Sequence, residues 1–209
     1  HRTCKALVAH GAKHLVLIDS ISERRAPTAG RVNEAEQMSK EEWSSYRERI
    51  TTSARIGAEE YGLTVGIHAH AAGFMDFEPE LERLLSEVDE EILKICFDTG
   101  HHSYAGFDPV EFMQKYISRI SYMHFKDIDP KVKQKVLDNR TGFYDACGQG
   151  IFCNLGDGDV DFPTVRKILL ENNFEGWCTV EQDCDPLLDP NPLSDAQLNR
   201  EYLETIGFK

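Results

Sequence analysis

The stretch KICFDTGHHSYAGFDP, residues 94–109, decides the fold, because an apolar run ends there in an aspartate, a glycine and two histidines. The run before Asp98 predicts a buried strand, and Asp108 with Pro109 predicts the start of a helix. A lone aspartate after a strand is usually a helix cap, but Asp108 fits that role better and leaves Asp98 free. An unpaired carboxylate at the dry end of a sheet is costly, and a cation would relieve the cost. A hydrogen-bonded turn aspartate is the alternative.

The same alternation of strand and helix recurs along the chain. Ser39 and Glu42 form a capping box at the start of a long helix that ends at Gly62. The predicted strands are 14–19, 63–70, 92–100, 120–127 and 176–183, and the predicted helices are 39–61, 78–88, 108–119, 161–173 and 194–207. Five strands separated by helices predict a parallel sheet covered by helices, as a doubly wound sheet or a TIM barrel.

Polar residues at the strand ends favour the TIM barrel. The last four predicted strands end in groups suited to chemistry, which are His68 with His70, Asp98 with His101, His124 with Lys126 and Asp127, and Glu181 with Asp183. In a barrel such groups converge from several strand ends, whereas an open sheet gathers them mainly at one switch point. A closed barrel has eight strands. We therefore expect residues 1–209 to be a single, N-terminally incomplete (β/α)8-type barrel domain, with strands four to eight present and the first three preceding His1.

Three of these side chains form a donor set for a divalent metal. Asp98, His124 and Glu181 offer two carboxylates and one imidazole, a mixture that suits Mn²⁺, Co²⁺, Mg²⁺ or Zn²⁺. Glu181 follows three residues that we expect to be buried, where an unpaired glutamate is rare. No single cluster is compelling on its own. Their shared position at successive strand ends carries the prediction.

Two further groups extend the predicted site. His68 and His70 leave the same face of their strand, so they could bind a metal or a sugar hydroxyl. Lys126 lies two residues beyond His124 on the same face, and beside a metal it could move protons. The alternative for Lys126 is a surface position paired with Asp127. His102 is supported only by its adjacency to the other residues, and we leave it out of the site.

The DGDVD segment, residues 157–161, resembles the start of a calcium loop. Phe162 and Ile168 stand where such a loop needs glycine and glutamate, so the calcium interpretation fails. The segment instead predicts a polar turn in which Asp161 caps the helix that opens at Pro163.

Composition excludes several classes of partner. The chain has 209 residues, 41% hydrophobic and 28% charged, and a net charge of −13 that argues against nucleic acid. No apolar run approaches the roughly 20 residues of a membrane span, and no signal-peptide pattern is present. Six cysteines include no C-x-x-C, and Cys96 and Cys178 lie in apolar runs. We expect reduced thiols, a cytoplasmic location and a small-molecule partner rather than a membrane, with homo-oligomerisation left open.

Six blocks carry a family resemblance, and they are GAKHLVLID, YGLTVGIHAH, FDTGHHSYAGFDPVEFMQKY, RISYMHFKDIDP, LGDGDVDFPTV and GWCTVEQDCDP. In this order they resemble the xylose-isomerase-like TIM barrels of the sugar phosphate isomerase/epimerase type. Within that superfamily they are most similar to the inosose (2-keto-myo-inositol) dehydratase branch. The resemblance spans roughly residues 5 to 207, and its specific blocks are 94–130 and 150–186.

The resemblance implies a bound divalent metal, Mn²⁺ or Co²⁺ ahead of Mg²⁺ or Zn²⁺, held by a Glu, an Asp, a His and a second Glu. Asp98, His124 and Glu181 match three of these ligands. His68 stands where the first Glu is expected, a departure that favours the dehydratase branch over the epimerases, which use that Glu in proton transfer. The fourth ligand stays open between His68, His70 and Asp76.

The implied activity is that of a lyase on a cyclic keto-polyol such as 2-keto-myo-inositol, by α-proton abstraction and loss of a β-hydroxyl. This chemistry needs a polarised carbonyl, a base and an acid. His70, His101 and Lys126 are the candidates for base and acid, unassigned between them, and His101 matches the histidine that faces substrate. The alternatives are a metal-dependent ketose isomerase or epimerase, an endonuclease of the same superfamily, and a non-catalytic relative.

Overall fold

A five-stranded parallel sheet forms the centre of the computed structural model, which describes residues 1–185, 187 and 191–208. Its strands are β1 (His14–Ile18), β2 (Thr64–His68), β3 (Lys94–Asp98), β4 (Ile120–Phe125) and β7 (Trp177–Val180), in that spatial order. Every neighbouring pair is parallel. The two short strands β5 (Asp127–Ile128) and β6 (Phe152–Cys153) form a separate antiparallel pair. All five predicted strands of the parallel sheet are confirmed.

Helices connect the strands, as βαβ units require. They are α1 (Arg2–Ala9), α2 (Lys40–Arg55), α3 (Glu78–Glu87), α4 (Thr99–Tyr104), α5 (Pro109–Tyr116), α6 (Pro130–Asp138), α7 (Phe143–Gly148), α8 (Phe162–Glu171) and α9 (Pro192–Thr205). Short turns of 3-10 helix cover Ala26–Thr28 and Ile117–Arg119, and a π-helical turn covers Ile56–Glu60. The five predicted helices are confirmed as α2, α3, α5, α8 and α9. The capping box also forms, because Glu42 N donates to Ser39 Oγ and Ser39 N donates to Glu42 Oε2.

Strand alternation divides the side chains between the core and the site. Ile67 of β2, Phe97 of β3 and Phe125 of β4 are at most 2% exposed and belong to the main core with the covering helices. Because successive side chains in a strand point to opposite faces, their neighbours His68 and Asp98 project to the other face. The pattern that buries the core therefore also gathers the polar residues on one side of the sheet.

Strand β7 departs from the predicted burial. Trp177 is 68% exposed and Val180 is 36% exposed, so the expectation that Glu181 follows buried residues is wrong. The reason is topological: in the described part of the chain, β7 pairs only with β4 and forms one edge of the sheet. Strand β1 forms the other edge.

A second apolar cluster, here called the roof cluster, packs separately from the main core and was not predicted. It comprises the buried residues Ala29, Ala71, Ala72, Tyr104, Ile128, Val136, Phe143, Ala146, Ile151 and Phe152. Six of these ten residues belong to segment 127–153, which contains α6, α7 and the β5–β6 pair. The Phe152 ring centroid lies 5.2 Å from that of His101 and 4.8 Å from Lys126 Nζ. The roof cluster therefore shields these two polar side chains from water.

Asp127 anchors the loop that precedes α8. Its buried carboxylate accepts hydrogen bonds from the backbone N–H groups of Ile128, Gly156, Gly158 and Val160. A Cβ at Gly158 would lie 2.2 Å from Asp127 Oδ1, so only glycine permits this approach. Lys126 therefore does not pair with Asp127 at the surface. The DGDVD segment folds as the predicted turn.

Two further expectations concern the whole chain. Among the described residues, no helix combines the length and the apolar character that crossing a bilayer requires. Cys96 and Cys178 are thiols, and Cys96 is fully buried between the strands as a small apolar side chain.

Candidate metal centre and active site

Asp98 occupies the junction between β3 and the unpredicted helix α4. Its Oδ1 accepts the backbone N–H of His101 at 2.8 Å, so Asp98 is the N-cap of α4. The expectation that Asp98 has no capping role is therefore wrong, because Asp98 caps α4 while Asp108 caps α5. Capping uses only one carboxylate oxygen. Oδ2 is buried and has no hydrogen-bond partner in the part of the chain that is described.

Four side chains converge at the carboxyl ends of the parallel strands. They are His68, Asp98, His124 and Glu181, and one ligand atom from each lies within 4.8 Å of the others. In this cluster, five buried atoms have no hydrogen-bond partner among the described residues. They are both ring nitrogens of His68, Asp98 Oδ2, His124 Nδ1 and Glu181 Oε2. His124 Nδ1 lies 2.5 Å from Glu181 Oε2, a contact that is short but not aligned as a hydrogen bond. Polar atoms that are buried without a hydrogen bond are expensive, and a cation bound among these atoms would relieve that cost.

The pKa shifts of the histidines in the cluster also favour a bound cation. Burial alone would lower the pKa of His124, but contacts with Asp98, Cys96 and Glu181 outweigh it and raise that pKa to about 12. Burial lowers the pKa of His68 to about 3, so this imidazole is neutral at pH 7 and keeps a lone pair. Protonated His124 is a cation among carboxylates, and a divalent ion would compete with this proton for the lone pair of the imidazole nitrogen.

Lys126 places an ammonium beside the cluster. Its side chain is fully buried, and Nζ lies 3.6 Å from Asp98 Oδ2, 3.5 Å from Glu181 Oε1 and 3.0 Å from Asp183 Oδ2. Burial would raise the pKa of Asp98, but the Lys126 charge holds it well below its usual range. Three carboxylates against one ammonium leave two negative charges when the histidines are neutral. One divalent ion would supply the balancing charge.

His70 and His101 lie beside Lys126, with ring centroids 3.9 Å apart and ring planes tilted by 44°. His70 Nδ1 lies 2.8 Å from the Ala71 carbonyl oxygen, which can only accept, so in the neutral tautomer Nδ1 carries the proton and Nε2 has the lone pair. His101 has N–H donors on both sides, Lys126 Nζ at 2.9 Å from Nε2 and Ala71 N at 3.4 Å from Nδ1. A neutral imidazole accepts at one nitrogen only, and the shorter contact assigns that role to Nε2.

Two further residues lie outside the cluster: His102, which the sequence analysis left out of the site, and Asp76, which it kept as a possible fourth ligand. His102 points away, with its Nε2 3.1 Å from Glu78 Oε2 and its ring packed against Phe97 and Phe112. Asp76 caps the turn after β2, where its Oδ2 accepts the N–H of Ala72 at 3.0 Å. The geometry thus groups His68, rather than His70 or Asp76, with the three matched ligands.

Asp76 predicts a pH dependence of stability that is independent of the metal. Burial raises its pKa from 3.8 to about 7, so the folded chain retains a proton that the unfolded chain releases between pH 4 and 7. The contribution of Asp76 to stability should therefore fall as pH rises through this window, by up to about 4 kcal/mol. Because the buried neutral His68 contributes in the opposite direction between about pH 3 and 6.5, the difference between the parent and an Asp76 variant isolates this contribution. Asp76→Asn should remove most of this loss, so the variant should be more stable than the parent at pH 8. Urea unfolding from pH 4 to pH 8 measures the effect.

The matched control for this prediction is Asp138→Asn, because Asp138 is exposed and hydrogen-bonds only to Gln134 in the described structure. Its stability should follow the parent curve at every pH. Parallel curves for the parent and Asp76→Asn would show that the Asp76 carboxyl does not hold its proton in the folded state.

Two residues at the site were not predicted as metal ligands or catalytic residues. Asp183 was noted only as a neighbour of Glu181, yet its Oδ2 bonds Lys126 Nζ. Its position two residues after Glu181, which places both on one face of an extended segment, is a usable signal. Gly100 allows the Lys126 stem to pass, because a Cβ there would lie 2.5 Å from Lys126 Cγ. The one sequence signal for this close approach is the position of the glycine two residues after the end of β3.

Sequence comparison identifies relatives of the chain. The profile of the xylose isomerase-like TIM barrel family matches residues 1–206. An inosose dehydratase of Clostridium beijerinckii is 37% identical over 169 residues, which are 80% of this chain and 56% of that protein. The chain spans about half the length of the inosose dehydratases that it matches.

Solved structures show the same fold. A probable 3-DHS dehydratase, AsbF, from Bacillus anthracis superposes with a TM-score of 0.71 over 97% of this chain and 69% of that one, at 19% identity. An IOLI protein with a bound zinc atom superposes with a TM-score of 0.70 over 98% of this chain and 66% of that one, at 16% identity. At these identities the likeness concerns the fold alone.

Proposed function

The chain belongs to the xylose isomerase-like TIM barrel family, and on that basis we propose that it is part of a metal-dependent dehydratase acting on a cyclic keto-polyol such as 2-keto-myo-inositol. The observation that carries the proposal is the convergence of His68, Asp98, His124 and Glu181, whose buried ligand atoms form no hydrogen bond within the described residues. The inosose dehydratases at up to 37% identity support the reaction class.

The residues present fit a divalent ion. His68, Asp98, His124 and Glu181 would hold it through two imidazoles and two carboxylates, a donor set that suits Mn²⁺, Co²⁺ or Zn²⁺. The zinc atom bound by the IOLI protein is consistent with a metal in this fold. When bound, the ion would supply Lewis-acid polarisation of the substrate carbonyl, which acidifies the neighbouring C–H.

The remaining polar side chains would handle the protons. His70 is the proposed base, because its Nε2 lone pair is left free by the Nδ1 contact with the Ala71 carbonyl. Lys126 is the proposed acid, because its ammonium can donate a proton as the β-hydroxyl leaves. His101 accepts a hydrogen bond from Lys126 and orients it. The roof cluster excludes water from this side, which strengthens each of these interactions.

The proposal includes a closed barrel. Strands β1 and β7 present unpaired edges in the described part of the chain, and exposed parallel edges are a liability for a folded protein. The large exposed fraction of Trp177, together with the half-length coverage of the inosose dehydratases, supports three further strands between these edges. The activity would belong to the polypeptide or assembly that includes them.

The test is an assay of the complete polypeptide carrying residues 1–209 with 2-keto-myo-inositol and Mn²⁺ or Co²⁺. We expect an ultraviolet-absorbing enone-type product to accumulate, and a chelator to stop its formation. Exchange of substrate isomers without loss of water would instead favour the ketose isomerase or epimerase alternative, which needs the same ion. Absence of both reactions at full metal occupancy would contradict the proposal.

A further inference from the structure

A second set of ligating side chains lies beside the four-residue cluster. His70, His101 and Asp183 each place one ligand atom within 4.8 Å of the others, and the two histidines are buried. Two imidazoles and a carboxylate are a common facial set for transition metals. The chain therefore carries donor atoms for two neighbouring ions.

The space among these donors already contains a positive charge. Lys126 Nζ lies 2.9 Å from His101 Nε2 and 3.0 Å from Asp183 Oδ2, so it uses the lone pairs that a metal would need. We propose that the Lys126 ammonium stands in the place of a second divalent ion, so that the centre binds a single divalent ion although it carries ligands for two.

Charge balance supports a single ion. Asp98, Glu181 and Asp183 contribute three negative charges within 3.6 Å of Lys126 Nζ. The ammonium and one divalent ion neutralise them, whereas a second divalent ion would leave an excess of positive charge in a buried site. Like charges a few ångströms apart in a site that is largely shielded from water repel each other strongly. The resident ammonium therefore excludes the second ion both by occupying its ligands and by repulsion.

The fold holds Lys126 in this position. The methylene chain of Lys126 packs directly against Gly100, where an added Cβ would lie 2.5 Å from Lys126 Cγ. The ring of Phe152 in the roof cluster lies 4.8 Å from Nζ and adds a cation–π contact. A lysine this confined cannot swing away to admit a metal, so the exclusion is built into the packing.

The experiment measures bound metal after equilibration with excess Co²⁺ and removal of loosely held ions, by elemental analysis and visible absorption. The parent chain should retain a single ion. Lys126→Ala, which removes the charge and opens the space, should retain a second ion and gain new absorption bands. Lys126→Arg is the matched control, because it keeps a positive charge and should still bind a single ion. The double variant Lys126→Ala with His101→Ala should return to a single ion.

A parent chain that binds two ions would overturn the inference, whether or not the variants fold. So would a folded Lys126→Ala chain that still binds a single ion, and that result would leave the proposed dehydratase intact. A parent chain that binds no ion would instead contradict the metal dependence of the proposed function. That result would also contradict the single occupancy inferred here, so the parent without an ion is the one outcome that counts against both proposals. The two proposals therefore fail in distinguishable ways.

Discussion

Asp98→Asn should abolish metal binding and with it the proposed turnover. The substitution keeps the capping of α4, because an asparagine oxygen can still accept the N–H of His101, but it removes one of the charges that the four-residue cluster offers. We expect metal affinity to fall by at least about 100-fold. Turnover should fall by about 1000-fold or more, since Lewis-acid polarisation contributes several kcal/mol.

Asp108→Asn is the matched control for this prediction. Asp108 also caps a helix, α5, through one carboxylate oxygen, but it lies outside the cluster. It should leave both the metal content and the turnover unchanged. Elemental analysis and the enone assay on both variants give the comparison. If Asp98→Asn retained its metal and its turnover, the assignment of the metal to this cluster would be wrong.

The sheet and its polar edge were predictable from the sequence for one physical reason. In each of the central strands, successive side chains point to opposite faces, so a core residue such as Phe97 is followed by a site residue such as Asp98. Both residue types can be recognised in the sequence. Because parallel strands end at the same edge, placing the polar residues on strands was enough to predict that they meet. The grouping of His68 with Asp98 needed no knowledge of the loops.

The parts that were missed depend on contacts between distant segments. Helix α4 has no apolar periodicity, because five of its six residues are polar or glycine although all six are buried, and its N-cap is Asp98, which the sequence analysis treats as free of a capping role. The roof cluster joins residues as far apart as Ala29 and Phe152, and nothing local to either segment announces that contact. The exposure of β7 reflects its position at an edge, which strand propensity does not encode.

Gly100→Ala should separate the positioning of Lys126 from the binding of metal. A Cβ at this position would lie 2.5 Å from Lys126 Cγ and 3.0 Å from its carbonyl carbon, so the lysine must move. Such a shift takes Nζ away from His101 and Asp183, and misplacing a reacting group by about 1 Å costs about 100-fold in rate. The four metal ligands are not in this clash. We therefore expect turnover to fall by about 100-fold while the bound metal remains.

Two other glycines control for the general effects of adding a methyl group. Gly148→Ala has open space around the new Cβ and should behave as the parent. Gly57→Ala meets Val65 Cγ2 at 2.6 Å in the main core, on the face of the sheet opposite the site, so it should lower stability without a specific loss of turnover. Melting temperature, metal content and turnover are measured for all three variants. Full turnover in Gly100→Ala would mean that the close packing of Lys126 against Gly100 does not set the position of the ammonium. An equal loss of turnover in Gly57→Ala would mean that the effect of Gly100→Ala comes from lower stability of the fold.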